Sequence, residues 1–107
     1  MFVQEVTLKE AQDAIINTEF VVIKLYSDTC APCKALLPVL ENVSEHFEQV
    51  RVVKLNSAGE GAKEFLTDLG IRGVPTLLFY HQGGEMFRNP GYVHASKLKE
   101  LFQRLTE

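Results

Sequence analysis

Cys30 and Cys33 are the only thiols in a chain of 107 residues, and their spacing is the first sign of chemistry. The stretch that carries them, Val21 to Leu40, reads VVIKLYSDTCAPCKALLPVL. An apolar run breaks at Ser27-Asp28-Thr29, presents Cys30-Ala31-Pro32-Cys33, and continues with Leu36, Leu37, Leu40 and Val43 at helical spacing. A buried strand feeding a helix whose first turn holds Cys-x-x-Cys is a redox arrangement. The unpaired N–H groups and positive dipole end of that first turn stabilise an anion. A thiolate is such an anion, and it is the thiolate that acts as nucleophile. Two cysteines at this spacing lie on one side of a helical turn and can close a small disulfide ring. Pro32 suits the first turn, where its missing N–H has no intrahelical partner.

Two other uses of the pair compete. A structural zinc site needs four ligands, and the chain has neither a second cysteine pair nor a histidine pair at ligand spacing; no metal is expected. Two inert buried thiols are the other, and the helix-start context favours redox chemistry over them. His46, His81 and His94 are scattered and read as surface residues. Asp28 reads as a solvated turn residue rather than a base.

Length and composition narrow the class. The 107 residues fit one domain, 1–107, able to bury a real core. With 46% apolar and 23% charged residues the chain has an ordinary globular composition, and its net charge of −3 gives no support to a nucleic-acid or anionic-membrane partner. No segment reaches the length of a membrane span, and Met1-Phe2-Val3-Gln4-Glu5 lacks the basic and apolar regions of a signal peptide. The cytoplasm is the expected compartment. There, cysteines at this spacing serve catalysis or metal binding more often than cross-linking.

The elements that must position the cysteines follow in order. Phe2 to Val6 is a short first strand. Thr7-Leu8-Lys9-Glu10 has the form of a capping box and predicts a helix to about Ile16, burying Leu8, Ala11, Ala14 and Ile15. Phe20 to Tyr26, nearly all apolar, predicts a central strand covered on both faces. The helix after Cys30 is expected to run to about Phe47, kinked at Pro38. Arg51 to Leu55 is a strand, Ser57 to Gly61 a loop, and Ala62 to Leu69 a short helix ended by Gly70. Thr76 to Tyr80 and Glu85 to Asn89 form a hairpin about Gln82-Gly83-Gly84, with Met86 and Phe87 as hairpin core or edge. Lys97 to Leu105 closes the chain as an amphipathic helix with Leu98, Leu101, Phe102 and Leu105 inward. The order βαβαβαββα predicts an α/β fold: a mixed sheet with helices on both faces, three strands joined by helical crossovers and two by a hairpin.

These residues resemble the thioredoxin family over essentially the whole chain. Cys30-Ala31-Pro32-Cys33-Lys34 is similar to the family's Trp-Cys-Gly-Pro-Cys-Lys site. Gly70-Ile71-Arg72-Gly73-Val74-Pro75-Thr76 is similar to its cis-proline loop, and Lys54-Leu55-Asn56 to its third strand. Gly91, sixteen positions after Pro75, falls where the family has a glycine lining the substrate groove. The resemblance implies a thioredoxin-like fold and a cis Val74–Pro75 bond that sets the Val74 backbone beside the disulfide, ready to pair with an extended substrate.

The sequence departs from the family pattern at four places. Ala31 replaces a glycine between the cysteines. Thr29 replaces the tryptophan before the first cysteine and removes an apolar wall. Tyr26 replaces another tryptophan, a change that packing tolerates. Lys24 stands where the family carries a buried aspartate that helps deprotonate the second cysteine. Three readings of Lys24 stay open: a packed stem with its ammonium in solvent, a cation favouring the Cys33 thiolate, or a lysine with a lowered pKa beside Lys54 that accepts a proton. A carboxylate not identified in the sequence could also pair the two lysines.

The resemblance implies a disulfide oxidoreductase in which Cys30 attacks and Cys33 resolves. It implies that Lys24, Pro32, Lys54 and Pro75 modulate the couple. Thr29, Ala31, Gly73, Val74, Pro75 and Gly91 are the expected contacts for disulfide-containing protein substrates. A thioredoxin reductase or equivalent is the implied electron donor, with no cofactor beyond the Cys30–Cys33 disulfide and a monomeric state. A more oxidising or partner-dedicated carrier, and a binding module of the same fold with incidental cysteines, are the alternatives.

Overall fold

The computed structural model describes residues 3–107. Its elements are β1 (Val3–Glu5), α1 (Leu8–Asn17), β2 (Phe20–Tyr26), α2 (Ala31–Ser44), β3 (Val50–Asn56), α3 (Ala62–Asp68), β4 (Thr76–His81), β5 (Gly84–Pro90) and α4 (Ala95–Thr106). The predicted order βαβαβαββα is the one observed. Phe2, placed in the first strand by the sequence, lies outside the described residues.

The five strands form one mixed sheet in the order β1-β3-β2-β4-β5. β1, β3 and β2 run parallel, while β4 is antiparallel to β2 and pairs with β5 as a hairpin. Gln82 and Gly83 both have positive φ, 49° and 87°, the geometry of a two-residue turn that matches strand twist. β2 lies at the centre, and Val21, Val22, Ile23 and Leu25 are fully buried. Its alternation divides the core. Val22 joins Leu36, Leu40, Phe79 and Phe102 on one face of the sheet. Val21, Ile23 and Leu25 join Ala11, Ala14, Leu78 and Tyr80 on the other. Lys24, two positions after Val22, is therefore sent to the face covered by α2, and Lys54, two after Val52, to the same face.

The local signals explain most boundaries. Thr7 caps α1 by accepting the Glu10 amide at 3.1 Å, while the Glu10 carboxylate accepts the Thr7 amide at 2.8 Å. Ala11 and Ala14 are buried there, whereas Leu8 and Ile15 are half-buried, and Ile16 is exposed. α3 ends as expected at Gly70: the Ile71 amide donates to the Leu66 carbonyl at 2.9 Å and the Gly70 amide to Thr67 at 3.0 Å, with Gly70 at φ 73°. That reversal launches the loop carrying Pro75.

Some expectations shift. α2 stops at Ser44 rather than Phe47, because tight turns to the Val43 and Ser44 carbonyls fold Phe47 back into the core against Phe102, ring centroids 5.3 Å apart. The helix continues through Pro38, which cannot donate to the Lys34 carbonyl. α4 begins two residues before Lys97, and its four predicted core residues are buried. His81 is not a plain surface residue; it is half-buried and stacks on Phe20 at 4.7 Å. Phe87 stacks on Phe79, with the Arg104 guanidinium 4.7 Å from its ring centre, whereas Met86 points to solvent.

Candidate active site

β2 delivers the chain to the site, and the start of α2 holds it there. Cys30 is the N-cap of α2, with extended backbone, and Pro32 sits in the first turn. Cys30 and Cys33 are joined in a disulfide with Cα atoms 5.2 Å apart. The Cys33 amide donates to Cys30 Sγ at 3.1 Å. This is a first-turn N–H with no helical acceptor, turned onto the sulfur that would carry negative charge in the reduced form. Cys30 is partly exposed, whereas Cys33 is 1% exposed. The two sulfurs therefore differ in access as well as in field.

Opposite the disulfide stands the loop between α3 and β4. The Val74–Pro75 peptide is cis, and the Val74 carbonyl oxygen lies 3.7 Å from Cys30 Sγ. Thr76 secures the loop by donating its hydroxyl proton to the Gly73 carbonyl at 2.8 Å, and the Gly91 amide donates to the Pro75 carbonyl at 2.7 Å. Gly91 has φ 86°, which a residue with a side chain adopts only at a cost. A cleft of about 370 Å³ runs between the 70–76 loop and Arg88, Pro90 and Gly91. Of the substrate-contact residues named from the sequence, Gly73, Val74, Pro75 and Gly91 line this cleft. Thr29 and Ala31 do not; both are exposed, next to Cys30 in the chain.

The cleft wall includes a residue that the sequence did not single out. Arg88 donates to both carboxylate oxygens of Glu85, at 2.6 and 2.7 Å, and to the Leu69 carbonyl at 2.8 Å. It ties β5 to the end of α3 and so braces the proline loop. The only local sign was a glutamate three positions before an arginine, which in a strand does not place the two side chains together.

Beneath the disulfide lies Lys24, only 2% exposed, so the reading with its ammonium in solvent is overturned. Its Nζ donates to the Cys33 carbonyl oxygen at 2.7 Å. Lys24 and Lys54 are register partners on β2 and β3, and their Nζ atoms stand 5.6 and 5.5 Å from the centre of the Tyr26 ring. The ring face offers partial compensation to both cations. Burial first, and the Lys54 charge second, push the Lys24 pKa down to about 8, against the opposing pull of Glu41. Burial also pushes the Tyr26 hydroxyl up to about 12, with the Glu5 carboxylate adding to it. A cavity of about 150 Å³ joins Lys24, Lys54, Tyr26, Leu37 and Cys33, with Ser27, Asp28 and Lys34 around it. Asp28 is exposed, and its carboxylate accepts from the Asn56 side chain at 3.4 Å.

A helix-start disulfide facing a cis-proline loop on this sheet defines a thiol–disulfide oxidoreductase of thioredoxin fold. A family model described as Thioredoxin matches residues 2–106. A thioredoxin of Mycoplasmoides gallisepticum is 30% identical over 101 residues, covering 94% of this chain and 99% of its own. A thioredoxin of Porphyra purpurea is 27% identical, covering 97% of each. Among solved structures, a mutant thioredoxin from Halobacterium salinarum superposes with a TM-score of 0.86 at 28% identity, over 98% of this chain and 91% of the other. The chain belongs to the thioredoxin family.

Proposed function

We propose that the protein reduces disulfides of protein substrates, with Cys30 as the attacking thiolate and Cys33 as the resolving thiol. The observation that carries this assignment is the asymmetry of the pair: Cys30 is partly exposed and its Sγ accepts a helix-start amide, while Cys33 is covered. The Cys30 thiolate attacks one sulfur of the substrate disulfide, that S–S bond breaks, and the other substrate sulfur leaves as a thiolate. Cys33 then loses its proton and attacks Cys30 Sγ. The second substrate thiolate departs, and the protein ends as the Cys30–Cys33 disulfide, two electrons having passed to the substrate. A dithiol or flavoprotein reductase restores the dithiol. The cytoplasm is the proposed compartment and a monomer the working form.

The substrate would lie along Gly73, Val74, Pro75 and Gly91, with Thr29 and Ala31 forming the shallow rim across the disulfide. Pro32 stiffens the first turn, and Pro75 sets the loop that meets Cys30. The Lys24 ammonium at the Cys33 carbonyl favours a thiolate at Cys33, and Lys54 adds to the same field. The burial of that cation supports a second reading within the same chemistry, a carrier more oxidising than an ordinary thioredoxin.

Insulin reduction driven by dithiothreitol tests the assignment. The wild type accelerates insulin precipitation, with a KM raised by the missing apolar wall at position 29. Thr29→Trp restores apolar contact worth about 1 kcal/mol, which lowers KM roughly fivefold with little change in kcat. No acceleration by the wild type contradicts the redox function and leaves the binding module. An unchanged KM in Thr29→Trp shows that this rim does not limit docking.

A further inference from the structure

Lys24 is the only charged residue among the described ones that is nearly fully buried. An ammonium has three donors, and a single one is used, on the Cys33 carbonyl. The remaining donors have no carboxylate within ion-pair distance among the described residues. Across the helix–sheet interface, Cys33, Leu37 and Glu41 recur every four residues along α2, and Cys33 and Leu37 line the cavity that Lys24 enters. Glu41 continues that row one turn further on. One of its carboxylate oxygens, Oε2, is buried without a hydrogen-bond partner. A buried acceptor left alone is costly and calls for a reason.

The charged and titratable groups around Lys24 supply one. From β3 comes Lys54, a like charge; from β2 comes Tyr26, whose ring both lysines approach. Asp28 and Lys34 line the cavity as exposed residues, so solvent screens them, and Asp28 is engaged with Asn56. Glu41 is the one carboxylate whose charge favours the protonated lysine. It acts from beyond direct contact, across an interface of low dielectric where charge effects reach further than in water.

We propose that Glu41 is a positioning residue for the dithiol chemistry: its carboxylate holds Lys24 as an ammonium beneath Cys33 and thereby sets how readily the Cys33 thiolate forms. The proposal rests on the role given to Lys24 above and adds the residue that maintains it. With a Lys24 midpoint of about 8, the lysine is mostly charged at neutral pH. Loss of the Glu41 charge would leave burial and Lys54 unopposed and would bring a neutral amine into the range where the protein works.

Two titrations test it. In the oxidised protein, where neither cysteine titrates, the Lys24 side-chain carbon shift is followed by NMR against pH. Glu41→Gln, close in shape, lowers the Lys24 midpoint by about one pH unit, a tenfold loss of proton affinity. Glu41→Asp, which keeps the charge, stays within a few tenths of a unit of wild type. The second titration uses protein carrying thionitrobenzoate on Cys30, whose release by Cys33 is timed against pH. The inflection that Lys24 adds to this profile moves down with the NMR midpoint in Glu41→Gln and is missing in Lys24→Met. An unchanged Lys24 midpoint in Glu41→Gln overturns the proposal. A moved midpoint with a wild-type release profile overturns the coupling to Cys33. If Lys24→Met also keeps that profile, the reading of Lys24 itself fails.

Discussion

Replacing Cys33 by serine is expected to turn the protein into a trap. Cys30 still attacks a substrate disulfide, but a serine hydroxyl does not ionise near neutral pH and cannot displace the substrate. Mixed disulfides through Cys30 therefore accumulate and survive on non-reducing gels. Cys30→Ser should trap nothing, because the remaining thiol, Cys33, is 1% exposed and faces the cavity above Lys24. Catalytic insulin reduction falls to background in both variants, so the trapping pattern rather than the loss of rate separates the two roles. Equal trapping by both variants would contradict the order of attack and resolution.

The second large effect is expected at Lys24. The Lys24 ammonium, held 2.7 Å from the Cys33 carbonyl oxygen, is expected to stabilise the reduced, thiolate-bearing form relative to the disulfide. On the proposed role of Lys24, the couple should be more oxidising than the thioredoxin value of about −270 mV. A partly screened charge worth roughly 1–2 kcal/mol corresponds to an upward shift of roughly 20–45 mV. The sign with pH follows from the Lys24 midpoint: the shift is present below about pH 8, where the lysine is charged, and fades above it. Lys24→Asp should bring the potential back down, place an anion beside Lys54 and restore a base near Cys33. Lys24→Met, which removes the charge without adding another, should fall between the two. Equilibration with glutathione across a pH series measures all three. One potential shared by wild type and Lys24→Asp would mean that the buried charge does not reach the dithiol.

Much of this arrangement is legible in the sequence, and the reasons differ by residue. The central strand is visible because Val21 to Leu25 is apolar enough to be covered on both faces. The start of α1 is visible because Thr7 and Glu10 satisfy each other's amides locally. Cys30 at a helix start follows from spacing alone. The proline loop does not: only resemblance ties Val74 and Pro75 to a disulfide more than forty residues away.

Lys24 shows where local reading stops. Alternation along β2 assigns it to a face, yet only the cover of α2 decides that its ammonium stays beneath Cys33 rather than reaching water. Glu41 went unnoticed for the same reason. A glutamate two turns after Cys33 on an amphipathic helix resembles any solvated residue until β2 places a lysine opposite. The bracing of the loop by Arg88, Glu85 and the Leu69 carbonyl likewise depends on how β5 meets α3.

The most direct measurement of the central claim is the pH-dependent alkylation of the reduced protein by iodoacetamide, with the modified peptide identified by mass. The account predicts that Cys30 is labelled first, with a midpoint below the value of about 8.5 for a free thiol, and that Cys33 stays protected until the protein is unfolded. Labelling of Cys33 as fast as Cys30, or a Cys30 midpoint at the free-thiol value, would contradict it.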